Sequence, residues 1–393
     1  MAEQRHQLDA RVFTAFFLAA MPFVAFGSFI VVNQARTLLR ESVGASLEQR
    51  AVQTKLALEQ YVADQVVHLR LVAMDPELQR ALARPAPALP ESERLRLEQA
   101  WATAKDFRLT AAIVDNPLAA RTRPLLQVRP AFRQIQVVDA SGRLVASSAR
   151  GGRLWNGEAP WFKVVAAQQG EPEAHVGEPF RPAGSSMALF EIVYPVRDSD
   201  GVFIGATRAL VDASDLYAVL GPVRIGRTGH AVLVRATDGL VLASDESERI
   251  LTTSLPGFDS LRSAVDGFPL GESGRQLFGS AGQRRGYWTI PEVRLLGADG
   301  APTIVAAPRL VGFSPVEQVP GVQWLVTVEQ DQSEALAPVN GVTRYLWIHF
   351  VGVFATVILL ALYFSFKLER PIMAEGLHLH EQHVATGIKR ATS

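Results

Sequence analysis

The chain has 393 residues, 39 Lys and Arg against 39 Asp and Glu, and no cysteine. A formal net charge of +0 offers no basic surface for nucleic acid, and without cysteine there are no disulfides, iron–sulfur clusters, thiolate zinc sites or cysteine nucleophiles. With 48% hydrophobic and 20% charged residues the chain is too apolar for disorder yet not apolar enough for a polytopic transporter, so the excess must be local.

The first concentration is Val12–Val32, which carries no charge. About 20 apolar residues cross the roughly 30 Å hydrocarbon core as a helix. No A-x-A cleavage pattern follows, which argues for an uncleaved anchor over a signal peptide. From Gln34 to about Met74 there is no proline, and Leu38, Leu39, Val43, Leu47, Val52, Leu56, Val62, Val66 and Leu69 recur at helical spacing. The spacing predicts a helix about 60 Å long that carries the first span outward. Its apolar stripe, Leu38–Leu69, exceeds what one module covers and predicts a homodimer. Asp75-Pro76 reads as an N-cap followed by proline at the first helical position. Arg84–Pro90 reads as a loop and Glu91–Phe107 as another helix.

After Arg133 the period changes to that of strands. RQIQVVDASGRLVASS reads as strand, Ser-Gly turn, strand; MALFEIVYPVRDSDGVFIGATRALVD does the same around Asp198-Ser199-Asp200-Gly201. GHAVLVRATDGLVLASD is another hairpin, with PTIVAAPRLV and VQWLVTVEQ as later strands. Two stretches repeat. Gly142-x-Leu144-Val145-Ala146-Ser147 returns as Gly239-Leu240-Val241-Leu242-Ala243-Ser244, and Gly201-Val202 with Thr207 and Leu216 returns as Gly321-Val322 with Thr327 and Leu336. Two α+β modules in series are expected.

The second apolar run, Tyr345–Phe366, has Tyr345, Trp347 and Tyr363 at its ends, as interfacial belts do. Arg344 precedes it, while Lys367, Arg370, Lys389 and Arg390 follow. That asymmetry predicts cytoplasmic termini and an extracytoplasmic segment over residues 33–344, a two-pass plasma (inner) membrane protein. Residues 367–393 have no room for a kinase, cyclase or methyl-accepting hairpin, so the expected recipient of any signal is a separate cytoplasmic output protein. His378, His380 and His383 lack HExxH spacing and read as a solvated helix face, not a metal site.

VDASGRLVASS, Pro160-Trp161-Phe162-Lys163, Tyr194-Pro195-Val196 and GVFIGATRALVDASDL, then RTGHAVLVRATDGLVLAS and GVQWLVTVEQDQSEALAPV, together resemble the double Cache sensor family. Arg370-Pro371-Ile372 with Leu377 and Val384 resembles the opening of a HAMP linker. The resemblance implies an α+β fold: a long N-terminal helix and two tandem PAS-like antiparallel-sheet modules, flanked by two transmembrane helices. The expected divisions are 1–11 cytoplasmic, 12–32 first span, 33–131 long helix and helical region, 132–222 membrane-distal module, 223–340 membrane-proximal module, 341–366 second span and 367–393 tail. It also implies small-molecule recognition in the distal module and signalling as a dimer.

In amino-acid-binding members an Arg two residues before a Trp-aromatic pair and an Asp on the last strand hold the zwitterion. Here Trp161-Phe162 is preceded by Ala159, and the Asp position falls on Leu210; in the alternative register Arg153-Leu154-Trp155, Asn156 replaces the second aromatic. An unpaired buried zwitterion is costly, so a standard amino-acid site is not expected. The remaining ligand-binding candidates are Trp155, Trp161, Phe162, Tyr194 and Arg208. Arg208 shares a strand face with Leu210, and a guanidinium among aromatic rings suits a carboxylate or another planar organic anion. The competing reading makes Arg208 a surface residue and Trp161 and Phe162 core packing. Asp212 and Asp215 read as cap or turn residues, and Gly226-Arg227-Thr228-Gly229 as a turn, not a phosphate loop. The expectation is a ligand-binding transmembrane receptor with no cofactor, metal or catalytic set. The alternative is an assembly subunit whose outer modules bind a protein.

Overall fold

The computed structural model describes residues 2–84, 89–104, 106–259, 285–296, 302–360 and 363. The expected HAMP-like stub and the three tail histidines lie outside these residues, as does most of the loop expected over Arg84–Pro90. The chain divides into two compact units, Val43–Glu334 and the paired segments Met1–Ser42 with Ala335–Ser393.

α1 is one helix from Ala2 to Ala73, so the expected span and juxtamembrane helix are continuous. Ala19–Ala73 within it, and Ala337–Leu360 (α8), each contain a window long and apolar enough to cross a membrane, with none of that window buried. Phe23, Phe26, Phe29 and Ile30 on α1 and Trp347, Ile348 and Leu359 on α8 are all exposed. Apolar side chains in that number fit lipid and not water.

The unit Val43–Glu334 begins with helices. Asp75 caps α2 (Pro76–Leu82) as expected, its Oδ1 accepting the N–H groups of Glu77 and Leu78 at 2.8 and 3.4 Å. The expected helix Glu91–Phe107 is cut short. α3 ends at Thr103, where Ala104 turns left-handed at φ 54°, and Asp106 caps a separate helix, α4 (Phe107–Val114). α5 (Pro117–Val128) follows on an Asn116 cap.

The sheet of the module expected to be membrane-distal, called distal for that expectation alone, contains β1 (Phe132–Asp139), β2 (Leu144–Ser147), β3 (His175–Val176), β4 (Leu189–Arg197) and β5 (Phe203–Asp212), in the order β2-β1-β5-β4-β3. α6 (Pro160–Ala167) lies between β2 and β3 in sequence, and α7 (Ser214–Leu220) leads onward. The sheet of the second module, called proximal on the same expectation, contains β6 (Arg224–Ile225), β7 (Gly229–Arg235), β8 (Val241–Ala243), β9 (Gly286–Ile290), β12 (Arg309–Pro315) and β13 (Trp324–Asp331). Its order is β6-β7-β13-β12-β9, with β8 on β7. Every pairing in both sheets is antiparallel. The single strand expected from PTIVAAPRLV is two: β11 (Pro302–Ala306) pairs with β10 (Val293–Leu296) in a separate hairpin, and β12 joins the main sheet. Pro308 stands between them and cannot donate to a ladder.

The repeat is structural. Gly142 and Gly239 open the same hairpin in each module at φ +81° and +71°, where a side chain would be strained. Asp139 ties the first of these turns by accepting the N–H groups of Ser141 and Arg143 at 2.9 and 3.0 Å. One face of the distal sheet buries Val138, Val193 and Ala206 under Trp161 and Phe162; one face of the proximal sheet buries Val232, Val234, Val311 and Phe313 with Leu255 and Phe258. Each fully buried side chain of this size contributes roughly 1.5–3 kcal/mol. On the opposite proximal face a Cβ at Gly312 would overlap the backbone of Leu47 and Glu48, so β12 lies directly against α1.

Candidate functional site

Gln136 on β1, Arg208 on β5 and Glu191 on β4 meet on the α6-facing side of the distal sheet. The Arg208 side chain is 12% exposed and that of Glu191 16%, so Arg208 is not the surface residue that the competing reading made it. Its Nε donates to Glu191 Oε2 at 2.7 Å and its Nη2 lies 2.6 Å from the same oxygen. Its Nη1 donates to Gln136 Oε1 at 3.0 Å. The guanidinium carbon stands 5.0 Å from the centroid of the Trp161 ring, a stacked cation–π geometry. Trp161 meets Phe162 edge-on at 5.7 Å, and Phe162 meets Phe203 at 5.8 Å.

The loop that follows β2 roofs this cluster. Gln136 Nε2 donates to the Gly151 carbonyl at 3.0 Å and Gln134 Nε2 to the Ala149 carbonyl at 2.7 Å. From the other side, Glu98 on α3 accepts the N–H groups of Leu154 and Trp155 at 3.1 and 3.0 Å, and Trp101 Nε1 donates to the Gly152 carbonyl at 3.0 Å. Arg150 donates back to the carbonyls of Trp101 and Ala102. Gln136 therefore holds Arg208 with one end of its amide and the roof with the other.

Of the five residues expected here, Arg208 and Trp161 touch, and Phe162 packs behind Trp161 as core. Tyr194 stands apart. Strand alternation puts Glu191 and Val193 on the Arg208 side and Tyr194 on the other, and its hydroxyl donates to the Pro172 carbonyl at 3.2 Å. Trp155 is half-buried in the roof, under the Arg94 guanidinium at 5.7 Å. Glu191 and Gln136 were missed. Both lie two residues from apolar side chains on the same face, the alternation already used to place Arg208, so the signal was present.

A family model described as Cache domain matches residues 33–339. The chain belongs to the Cache domain family. Its fold is similar to the ligand-binding domain of the Pseudomonas aeruginosa PAO1 amino acid chemoreceptor PctC in complex with GABA, at 17% identity and TM-score 0.43, covering 74% of this chain and all of that one. It is similar also to the ligand-binding domain of Pseudomonas fluorescens CtaA in complex with L-isoleucine, at 17% identity and TM-score 0.45 over 77% of this chain and 98% of that one. The extracellular domain of the putative histidine kinase rpHK1S-Z16 gives 17% identity and TM-score 0.40 over 70% and 98%. No protein of curated function matches.

The two Cache modules meet through specific contacts. The Val176 N–H on β3 donates to the Pro320 carbonyl at 2.9 Å. Trp324, the first residue of β13, donates its Nε1 to Glu178 at 3.2 Å and meets Phe190 edge-on at 6.4 Å. Burial raises the Glu178 carboxyl above its ordinary range, against the pull of Trp324. α1 touches both Cache modules. Glu59 Oε1 accepts the N–H groups of Glu317 and Gln318 at 2.8 and 2.9 Å, and the Tyr61 hydroxyl donates to Asp215 at 3.2 Å. Burial, then the Asp215 carboxylate, pushes the Tyr61 hydroxyl well above its usual range. Asp215 thus reaches α1, while Asp212 is the turn residue expected, accepting the Ser214 N–H at 2.9 Å and pairing with Arg133 at 2.6 Å.

Proposed function

We propose that this chain is a two-pass transmembrane receptor whose outer Cache region binds a small molecule at Arg208 and signals through α1 and α8. Membership of a ligand-binding sensor family and the two apolar helices that flank the Cache region support the coarse reading. The observation that carries the finer one is the Arg208–Glu191–Gln136 network beneath Trp161. Arg208 already holds a carboxylate, so an organic anion would enter by exchange, its own carboxylate replacing that of Glu191. Such an exchange keeps a buried guanidinium paired throughout, which avoids the several-kcal/mol cost of leaving it alone.

Movement of Arg208 changes the Gln136 amide, and with it the hold on Gly151 in the roof. The contacts of Val176, Glu178 and Phe190 with the proximal module, and of Glu59 and Tyr61 on α1, offer routes onward. A ligand shifts this equilibrium only through different affinity for the two states. The receptor is read as non-enzymatic and as a homodimer along the α1 stripe, with cytoplasmic termini and a separate cytoplasmic protein as recipient. Arg344 outside against Lys367 and Arg370 inside supports that orientation.

The test is a thermal-shift screen of metabolites on the full chain in nanodiscs, followed by calorimetry with the stabilising compound on Arg208→Ala. Loss of affinity is expected; unchanged affinity contradicts the assignment. The second reading, a protein-binding subunit, is favoured by one observation: Phe107, Val128, Leu71 and Met74 are exposed, Phe107 to 82%. A silent metabolite screen would favour it.

A further inference from the structure

The two sheets match rung by rung. Leu144, Val138, Ala206 and Pro195 stand side by side across β2, β1, β5 and β4. Val241, Val234, Leu325 and Pro315 do the same across β8, β7, β13 and β12. Four residues farther back along β1 and β7, the distal rung Gln134–Leu210–Glu191 corresponds to the proximal rung His230–Glu329–Val311. The face is also the same, since Val138 and Val193 belong to the distal core under α6, and Val232, Val234 and Val311 to the proximal core.

What stands over the rung differs. In the distal module the space holds Arg208 and Trp161. In the proximal module it is a polar cavity of about 200 Å³ bounded by β7, β12, β13 and the 3₁₀ turn Ser247–Arg249. One water needs only about 10–15 Å³ by the same measure, so a small molecule fits.

The cavity wall is incomplete in its hydrogen bonding. Glu329 is 1% exposed, and its Oε2 accepts Arg309 Nη1 at 2.7 Å. Its Oε1 lies 3.1 Å from His230 Nε2, yet neither atom has a hydrogen bond. His230 Nδ1 lies 2.9 Å from the Thr228 carbonyl, which can only accept. Both ring nitrogens face oxygen acceptors, and only an imidazolium suits both. Arg249 Nη2 is buried without a partner, and the nearest carboxylate, Glu246, stands 3.6 Å from Nη1, beyond a hydrogen bond. Three cations therefore line a cavity in which Glu329 is the one deeply buried anion; Glu246 and Asp331 also border it. A buried guanidinium N–H without an acceptor is unfavourable, and a bound oxygen would relieve it.

We propose that this cavity is a second binding site, in the proximal Cache module, and that it takes a small carboxylate on the unpartnered Nη2 of Arg249, with His230 and Arg309 beside it. The site is independent of the one at Arg208. The experiment measures thermal unfolding of the full chain in nanodiscs with acetate, lactate, succinate or inorganic phosphate at millimolar concentrations. It compares wild type, Arg208→Gln, Arg249→Gln and Arg249→Lys. At least one carboxylate should stabilise wild type and Arg208→Gln alike. Its affinity should fall at least about tenfold in Arg249→Gln, the loss of one charge-assisted hydrogen bond. Arg249→Lys keeps the charge, and with it the fold, but lacks the planar fork, so it should weaken binding by about the same factor. The proposal is overturned if no carboxylate stabilises wild type, if only phosphate does, if affinity is unchanged in Arg249→Lys, or if the effect disappears in Arg208→Gln.

Discussion

At the scale of single residues, the molecule handles buried charge by pairing it across strands. Arg208 and Glu191 are a largely buried pair, so removing one partner strands the other. Glu191→Ala should lower stability by about 3–5 kcal/mol, whereas the double replacement Arg208→Met/Glu191→Leu should cost far less, because apolar side chains of similar size fill the same space. Denaturant titration of the three variants against wild type checks this; an equal loss in single and double variants would refute it. His230 and Glu329 make a second test. The Glu329 carboxylate, 3.1 Å from the imidazole Nε2, raises the His230 pKa above its ordinary value despite burial. Burial pushes Glu329 up, but His230 and Arg309 outweigh it and hold its carboxyl below the usual range. Asp245 from the β8 end, itself paired with Arg224 of β6, adds to the pull on His230; Arg309, Arg249, Glu246 and Asp331 border the same cavity. The sign follows. The His230 contribution is complete below about pH 6.5 and is lost as pH rises through its raised pKa, while the Glu329 contribution is lost only as pH falls through its lowered one. The melting temperature of the full chain should therefore fall between mildly acidic and alkaline pH more steeply in wild type than in His230→Gln. Equal slopes would contradict the pairing.

At the scale of elements, what could be read in advance had a strong local cause. Asp75-Pro76 started a helix because a carboxylate cap and a proline both favour that position. Asp75→Ala should cost about 1 kcal/mol, seen as a lowered unfolding midpoint. The glycines at 142 and 239 marked the two hairpins because only glycine rests easily at positive φ. The break after Thr103 was not legible, since the left-handed turn falls on an alanine and no Gly or Pro signals it. β9, β10 and the split before β12 were hidden by a middle segment with no clean alternation. The repeat itself was legible but its register was not. Sequence spacing matched Thr207 with Thr327, whereas the ladder sets Thr327 on the same face as Glu329, and Thr207 faces away from Arg208. β5 carries a register shift near Gly205, and a slip of one residue turns every side chain to the other face. For that reason Glu329 as the counterpart of Leu210 emerged only from the paired strands.

At the scale of the whole molecule, a Cache region of residues 33–339 is flanked by two apolar helices. The proposed receptor places this region outside the cell and the C-terminal tail inside. The absence of cysteine makes the chain a clean background for single-site labelling. Ser199, exposed in the turn between β4 and β5, serves for the outer region and Ser393 for the tail. Spheroplasts carrying Ser199→Cys or Ser393→Cys are treated with a membrane-impermeant maleimide before and after permeabilisation. Ser199→Cys should label in intact spheroplasts and Ser393→Cys only once the membrane is opened. Labelling of Ser393→Cys in intact spheroplasts, with Ser199→Cys protected, would contradict that placement.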